Sequence, residues 1–214
     1  MPGLGGVLVN TPPPGWVAPA NWSNNGQYNI TNVTDTSQLL LEPTGTLART
    51  IPRALVTSGT LAAFNTTGQV AATGVILPAG MVITNVATIA GNTAVVGQTQ
   101  FWTGITDASL NVLAVTAGQG AAAVGANALL KIALAAQLTI LTTGLYYVVA
   151  ASTAATTAPT ATGSAMATGI ATNLGAPVIC GTAGTQSAPP AVGAQLAAGV
   201  VTGSNVGNIG YWLS

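Results

Sequence analysis

The sequence predicts an all-β protein: an antiparallel β-sandwich over residues 54–214, preceded by an extended N-terminal arm over residues 1–53. Three observations lead there. Past Arg53 the chain breaks into short runs of Val, Ile, Thr and aromatics, punctuated by Gly, Pro or Asn at intervals of about ten residues, as sandwich strands and their turns are. No stretch sustains the apolar period of an amphipathic helix. Before Arg53 the pattern is irregular and includes Pro12, Pro13 and Pro14 in succession, which excludes helix and favours an extended polyproline conformation.

The arm comes first in the chain. A segment such as "NTPPPGWVAPANW" cannot make a core of its own, yet it carries Trp16 and Trp22, two large aromatics that gain from burial. An arm lying along a partner, with both tryptophans as anchors, satisfies both facts; the alternative is that they pack back on their own domain. Four of the six charges, Asp35, Glu42, Arg49 and Arg53, fall near the boundary between arm and sandwich. Exposed ion pairs contribute only about 0 to 1 kcal/mol, so pairs among these four would set register rather than stability. Trp16, Trp22, Arg49 and Arg53 are the candidate partner-docking residues.

Strands are expected at 55–64, 69–77, 81–89, 98–106, 112–117, 128–134, 145–151 and 209–213. The segment "LLKIALAAQL" has the Leu and Ala content of a helix, but Leu130, Ile132, Leu134, Ala136, Leu138 and Ile140 alternate at period two, which favours a strand. "LPAG" before Met81 and "TTG" before Leu145 each place a Gly where the chain must turn sharply, and both read as sandwich corners. Ala-rich strands bury little area per residue, so the core must lean on Phe101, Trp102, Tyr146, Tyr147, Tyr211 and Trp212. Between 152 and 208 the chain drifts into Ala, Thr, Gly and Pro without a clean period; both ends are tied to strands, so long ordered loops are expected there.

Composition narrows function further. Only 3% of residues are charged, three basic and three acidic, with no His and one Cys, against roughly 25% charged in average globular chains. Arg49, Arg53 and Lys131 cannot build a basic patch, so neither nucleic acid nor an anionic membrane surface is an expected partner. No apolar run reaches transmembrane length, and the start lacks the features of a signal peptide. Cys180 sits among apolar neighbours and reads as a buried structural thiol. Zero net charge removes colloidal repulsion, a property better suited to a subunit of a large assembly than to a free soluble protein.

Catalysis finds no foothold. Without His there is no Ser-His-Asp triad, Cys-His pair or His-ligated zinc, and no phosphate-binding glycine loop occurs. A non-enzyme without cofactor or metal is the expectation. Asp107, Ser109 and Asn111 have the alternate oxygen spacing that opens a calcium loop, but Val112 and Gly118 stand where its glycine and bidentate acid belong. A turn explains them better: Asp accepts a backbone N–H two residues on, and Asn111 tolerates the left-handed conformation of a tight reversal.

The stretches "FWTGITDASLNVLAVTA", "GLYYVVAAS" and the terminal "IGYWLS" resemble a group of virion structural proteins of tailed phages infecting actinobacteria, usually labelled head-decoration or minor tail proteins. The similar pattern is an aromatic pair, Asp-x-Ser-x-Asn, Gly-Leu-Tyr-Tyr-Val and a closing aromatic strand. It covers roughly Leu55 to Ser214, and "GQGAAAVGANALL" departs from it. The resemblance implies a jelly-roll-like sandwich and a non-enzymatic role on the virion surface, after synthesis in the host cytoplasm. The expected partners are the major capsid protein or tail proteins, with self-assembly into a homo-oligomer, a trimer by preference. The alternative is a minor tail, fibre or carbohydrate-binding adhesin protein that contacts a host cell-wall glycan through aromatics such as Trp102 or Tyr146.

Overall fold

A computed structural model describes residues 46–50, 67–119, 125–157, 159–164, 177–203 and 208–214. Trp16, Trp22 and Arg53, and the strand expected at 55–64, lie outside the described residues. In chain order the strands are β1 (Ala48–Arg49), β2 (Gln69–Leu77), β3 (Val82–Ile89), β4 (Val96–Asp107), β5 (Val112–Val115) and β6 (Leu129–Thr139). They continue with β7 (Gly144–Thr157), β8 (Gly163–Ser164), β9 (Cys180–Thr185), β10 (Thr202–Gly203), β11 (Asn208–Ile209) and β12 (Tyr211–Leu213).

Among the described residues these strands make two main antiparallel sheets, ordered β1-β12-β3-β6 and β10-β9-β2-β7-β4-β5, with β8 and β11 paired separately. Taking β1 to β7 and β12 as the frame, the orders are first-eighth-third-sixth and second-seventh-fourth-fifth. That is the strand order of a jelly roll, a double sheet built from two Greek keys. The extra strands β8 to β11 are all inserted between the seventh and eighth strands of the frame.

Period-two alternation sorts the side chains into two layers. Phe101 and Ile105 of β4, Tyr146 and Val148 of β7, and Tyr211 and Leu213 of β12 fill the space between the sheets. Their sequence neighbours Trp102, Tyr147 and Val149 point the other way, into a second buried cluster on the outer side of the six-stranded sheet. The six-stranded sheet is therefore buried on both faces, which explains the unbroken apolar run "YYVVAA" in β7. All six aromatics expected in the core are buried.

The structure corrects several boundaries. Ala48 and Arg49, expected in the arm, form the edge strand β1: Arg49 pairs with Trp212 and Leu47 N donates to Leu213 O at 2.7 Å. The 152–208 segment, expected to be loops, holds the end of β7, all of β8 to β10 and the start of β11. Gly181 lets the backbone of β10 approach β9 directly, and the end of β7 continues its pairing with β4. β6 runs on to Thr139. Between Ile83 and Asn85 its pairing with β3 jumps from Leu138 to Ala133, and Leu134 instead bridges Thr116 beside β5. That bulge lets β6 close one edge of the sandwich.

Candidate interaction surface

Asp107 ends β4 and organises the reversal into β5. Its Oδ1 accepts the backbone N–H of Ser109 and of Asn111, both at 2.9 Å, and its Oδ2 accepts Asn111 Nδ2 at 2.7 Å. Three short donors occupy the carboxylate, so it acts as a local cap, and Ser109 contributes through its backbone. The left-handed conformation expected at Asn111 falls instead on Leu110, with φ 63°. The reason lies in tertiary contacts: Asn111 is held extended by Asp107 and by a bridge to Gln195, while the Leu110 side chain turns into the outer cluster.

What buries that cluster is a strap, residues 186–201, joining β9 to β10. It leaves at Gln186, whose N–H donates to Gly68 O at 2.7 Å, and runs back over the sheet to the β4–β5 reversal. There Val112 N donates to Ala194 O at 2.8 Å, Gly193 N to Val112 O at 2.8 Å and Leu196 N to Leu110 O at 3.0 Å. Gln195 Nε2 adds a bond to Ser109 O at 2.8 Å. Leu196 and Val201 drop their side chains among Trp102, Leu110 and Val112. The strap thus covers the free edge of β5 as well as the sheet's outer face.

Three connections share one end of the sandwich: Pro78–Met81 between β2 and β3, the Asp107 reversal, and Ile140–Thr143 between β6 and β7. The chain also enters β1 and leaves β12 there, since Ala48 pairs with Leu213 and Ser214 O accepts Thr84 N and Asn85 N, each at 2.7 Å. Both expected corners stand side by side at this end. Gly80 N donates to Ile140 O and Ile140 N to Met81 O, each at 2.8 Å; Ala79 N donates to Thr143 Oγ1 at 2.9 Å. The Tyr146 hydroxyl, rising from the core, donates to Thr142 O at 2.6 Å. The two turns are one cross-tied unit; Leu141 (86% exposed) lies within it, and Ile76 (66%) and Val82 flank it on the outward faces of the two sheets.

Sequence reasoning missed these residues. The available signal was position: Ile76 falls out of phase in "VIL" just before "PAG", and Leu141 stands just before "TTG". Arg49 lies elsewhere, on the outward face of the four-stranded sheet, in a cross-strand row Arg49, Trp212, Ala87, Lys131. Trp102 and Tyr146 are buried and offer no stacking platform for a sugar, which corrects the expectation attached to them. Burial also pushes the Tyr147 hydroxyl and the Cys180 thiol up from their ordinary values, and the Tyr211 hydroxyl much further.

Among the described residues no three His, Cys, Asp or Glu side chains come together as a metal site. Comparison with known proteins finds no matching family model, no matching curated protein and no matching solved structure.

Proposed function

We propose that this protein is a non-enzymatic structural component of a tailed-phage virion, a capsid decoration protein whose N-terminal segment docks on the particle while the jelly roll decorates its surface. The observation that carries the reading is the jelly-roll strand order, an architecture used by virion and lectin domains, built here from a chain with almost no charge. Its mechanism is adhesion by apolar contact and backbone pairing, and nothing is turned over. Trp16 and Trp22 anchor the segment by burying aromatic area at a partner, and repetition around a symmetric particle multiplies weak contacts. The partners are the major capsid protein or tail proteins, with a trimer as the assembly unit.

The test is genetic and biochemical. Particles are purified from a phage deleted for this gene and complemented with either the full chain or a chain lacking residues 1–47. The full chain is expected in the capsid fraction and the truncated chain in the unbound fraction, still folded by circular dichroism. Normal decoration by the truncated chain would refute docking through the segment; recovery of the full chain with tails alone would assign it to the tail.

A further inference from the structure

We propose that the strap, residues 186–201, is a latch: it opens as a unit while the sandwich stays folded, and in doing so uncovers the β5 edge and the outer face around Trp102. The inference goes beyond the virion reading and does not depend on it.

The strap's hold is narrow. Of its side chains only Leu196 and Val201 enter the outer cluster; residues 191–195, 197, 198 and 200 are exposed, with Val192 and Val200 more than 60% so. Its ties to the sandwich are backbone bonds at Gly68, Leu110 and Val112 and one side-chain bond from Gln195 to Ser109 O. The layer between the two sheets, with Phe101, Tyr146 and Val148, draws nothing from the strap and is complete without it. Local opening is set by just such differences in buried contact.

Its construction suits movement in one piece. Ala194 N donates to Ala191 O at 3.1 Å and Gly199 N to Leu196 O at 2.9 Å, so the middle of the strap carries its own bonds, and Pro189 and Pro190 stiffen the outgoing limb. Glycines in the left-handed region stand at the two feet, Gly184 (φ 84°) just before the strap and Gly199 (φ 64°) near its return. Such positions can absorb the rotation of a hinge.

The closed strap is also an incomplete cover. Trp102 and Gln100 point to the same face of β4, two residues apart, and among the described residues Trp102 Nε1 and Gln100 Oε1 are buried without a hydrogen-bond partner. The roof near Gln100 is Pro189: a Cβ placed on Gly118 would strike Gln100 Oε1 and lie 3.4 Å from Pro189 Cγ. Proline has no N–H to offer that oxygen. Opening returns both polar groups to water, which offsets part of the apolar exposure. Residues 193–196 pair with 110–112 as an added strand would, so the open latch leaves Leu110 O and the Val112 N–H and C=O free at a sheet edge.

Native-state hydrogen exchange on the full chain, followed by NMR at several low urea concentrations, tests this. The Val112, Gly193 and Leu196 amides should share one opening free energy and one urea slope, the slope above zero but well below that of Val148, and exchange about a hundredfold or more faster than Val148. The Trp102 indole N–H should exchange with them. A lock supplies the second measurement. Asn111 and Gln195 form a non-hydrogen-bonded antiparallel pair, since Val112 N bonds Ala194 O and Leu196 N bonds Leu110 O. Cα atoms of such a pair lie about 4.5 Å apart, within disulfide reach. In the N111C/Q195C variant, oxidation should slow the strap amides toward the Val148 rate and reduction should restore them. The latch is overturned if the strap amides match Val148 in free energy and slope, if their slope is zero so that bonds fray one at a time, or if oxidation leaves their exchange unchanged.

Discussion

Leu110 holds a conformation that non-glycine residues rarely adopt, at a cost of about 1 kcal/mol or more, because its side chain fills the outer cluster and its carbonyl accepts Leu196 N. The two substitutions that remove the side chain should therefore differ. Leu110→Ala keeps the strain and opens a cavity, losing about 2 to 5 kcal/mol. Leu110→Gly opens the same cavity but relieves the strain. Glycine ordinarily lies about 0.5 to 1 kcal/mol below alanine; here urea unfolding should show the glycine variant at least as stable. At the neighbouring cap, Asp107→Ala removes the acceptor of three bonds and should lower stability by about 1 to 2 kcal/mol, with no dependence on added calcium. A calcium-dependent loss in the same melts would return Asp107 to the role of ligand.

The strap is the element on which the outer layer depends. Its residues 191–200 are largely exposed, and Leu196 is its buried exception. Leu196→Ala should destabilise the protein by about 2 to 4 kcal/mol. The loss should be uneven: hydrogen exchange is expected to quicken first at Val112 and Leu196, whose amides bond across the strap. Val148, in the centre of β7 and packed between the sheets, should keep its protection up to global unfolding. Equal acceleration at all three amides would mean that the strap opens only when the whole domain does.

A near-neutral molecule must limit uncontrolled edge-to-edge strand pairing by shape, because charge repulsion is missing. Its sheet edges show how: the strap covers β5, β10 has two residues, and β6 bulges away from its partner and bears the exposed Lys131. Stability should likewise be insensitive to pH over the middle of the scale, since no His is present to titrate there. The alkaline side differs. Tyr147, Cys180 and the fully buried Tyr211 all have values raised by burial, and the Tyr211 hydroxyl has no hydrogen-bond partner among the described residues. A raised folded value means that the stabilising difference is complete below the unfolded value and is lost as pH climbs past it, because only the unfolded chain releases the proton. Melting temperature should be level from about pH 6 to 8 and fall above about pH 10, with tyrosinate absorbance appearing together with unfolding. Tyrosinate absorbance of all four tyrosines while the fold persists would contradict the burial of Tyr211.

Local sequence patterns were enough for the all-β class, the aromatic core, the two corners and the Asp107 reversal. Each depends on neighbours within a few residues: alternation in "LLKIALAAQL", glycine after "LPA", a carboxylate two residues from the N–H it accepts. Local patterns could not say that Phe101 and Trp102 serve different layers, because an apolar run has no phase until a second surface covers the other face. Only the tertiary structure decided that the Ala/Thr/Gly-rich segment supplies strands and a strap, that Ala48 and Arg49 belong to a sheet, and that Leu110 rather than Asn111 takes the strained turn. Those outcomes rest on partners distant in the chain: β9 on β2, β1 on β12, Leu196 on Leu110. The exposed end with Ile76 and Leu141 belongs with them, since two turns more than 60 residues apart meet there only after the jelly roll closes.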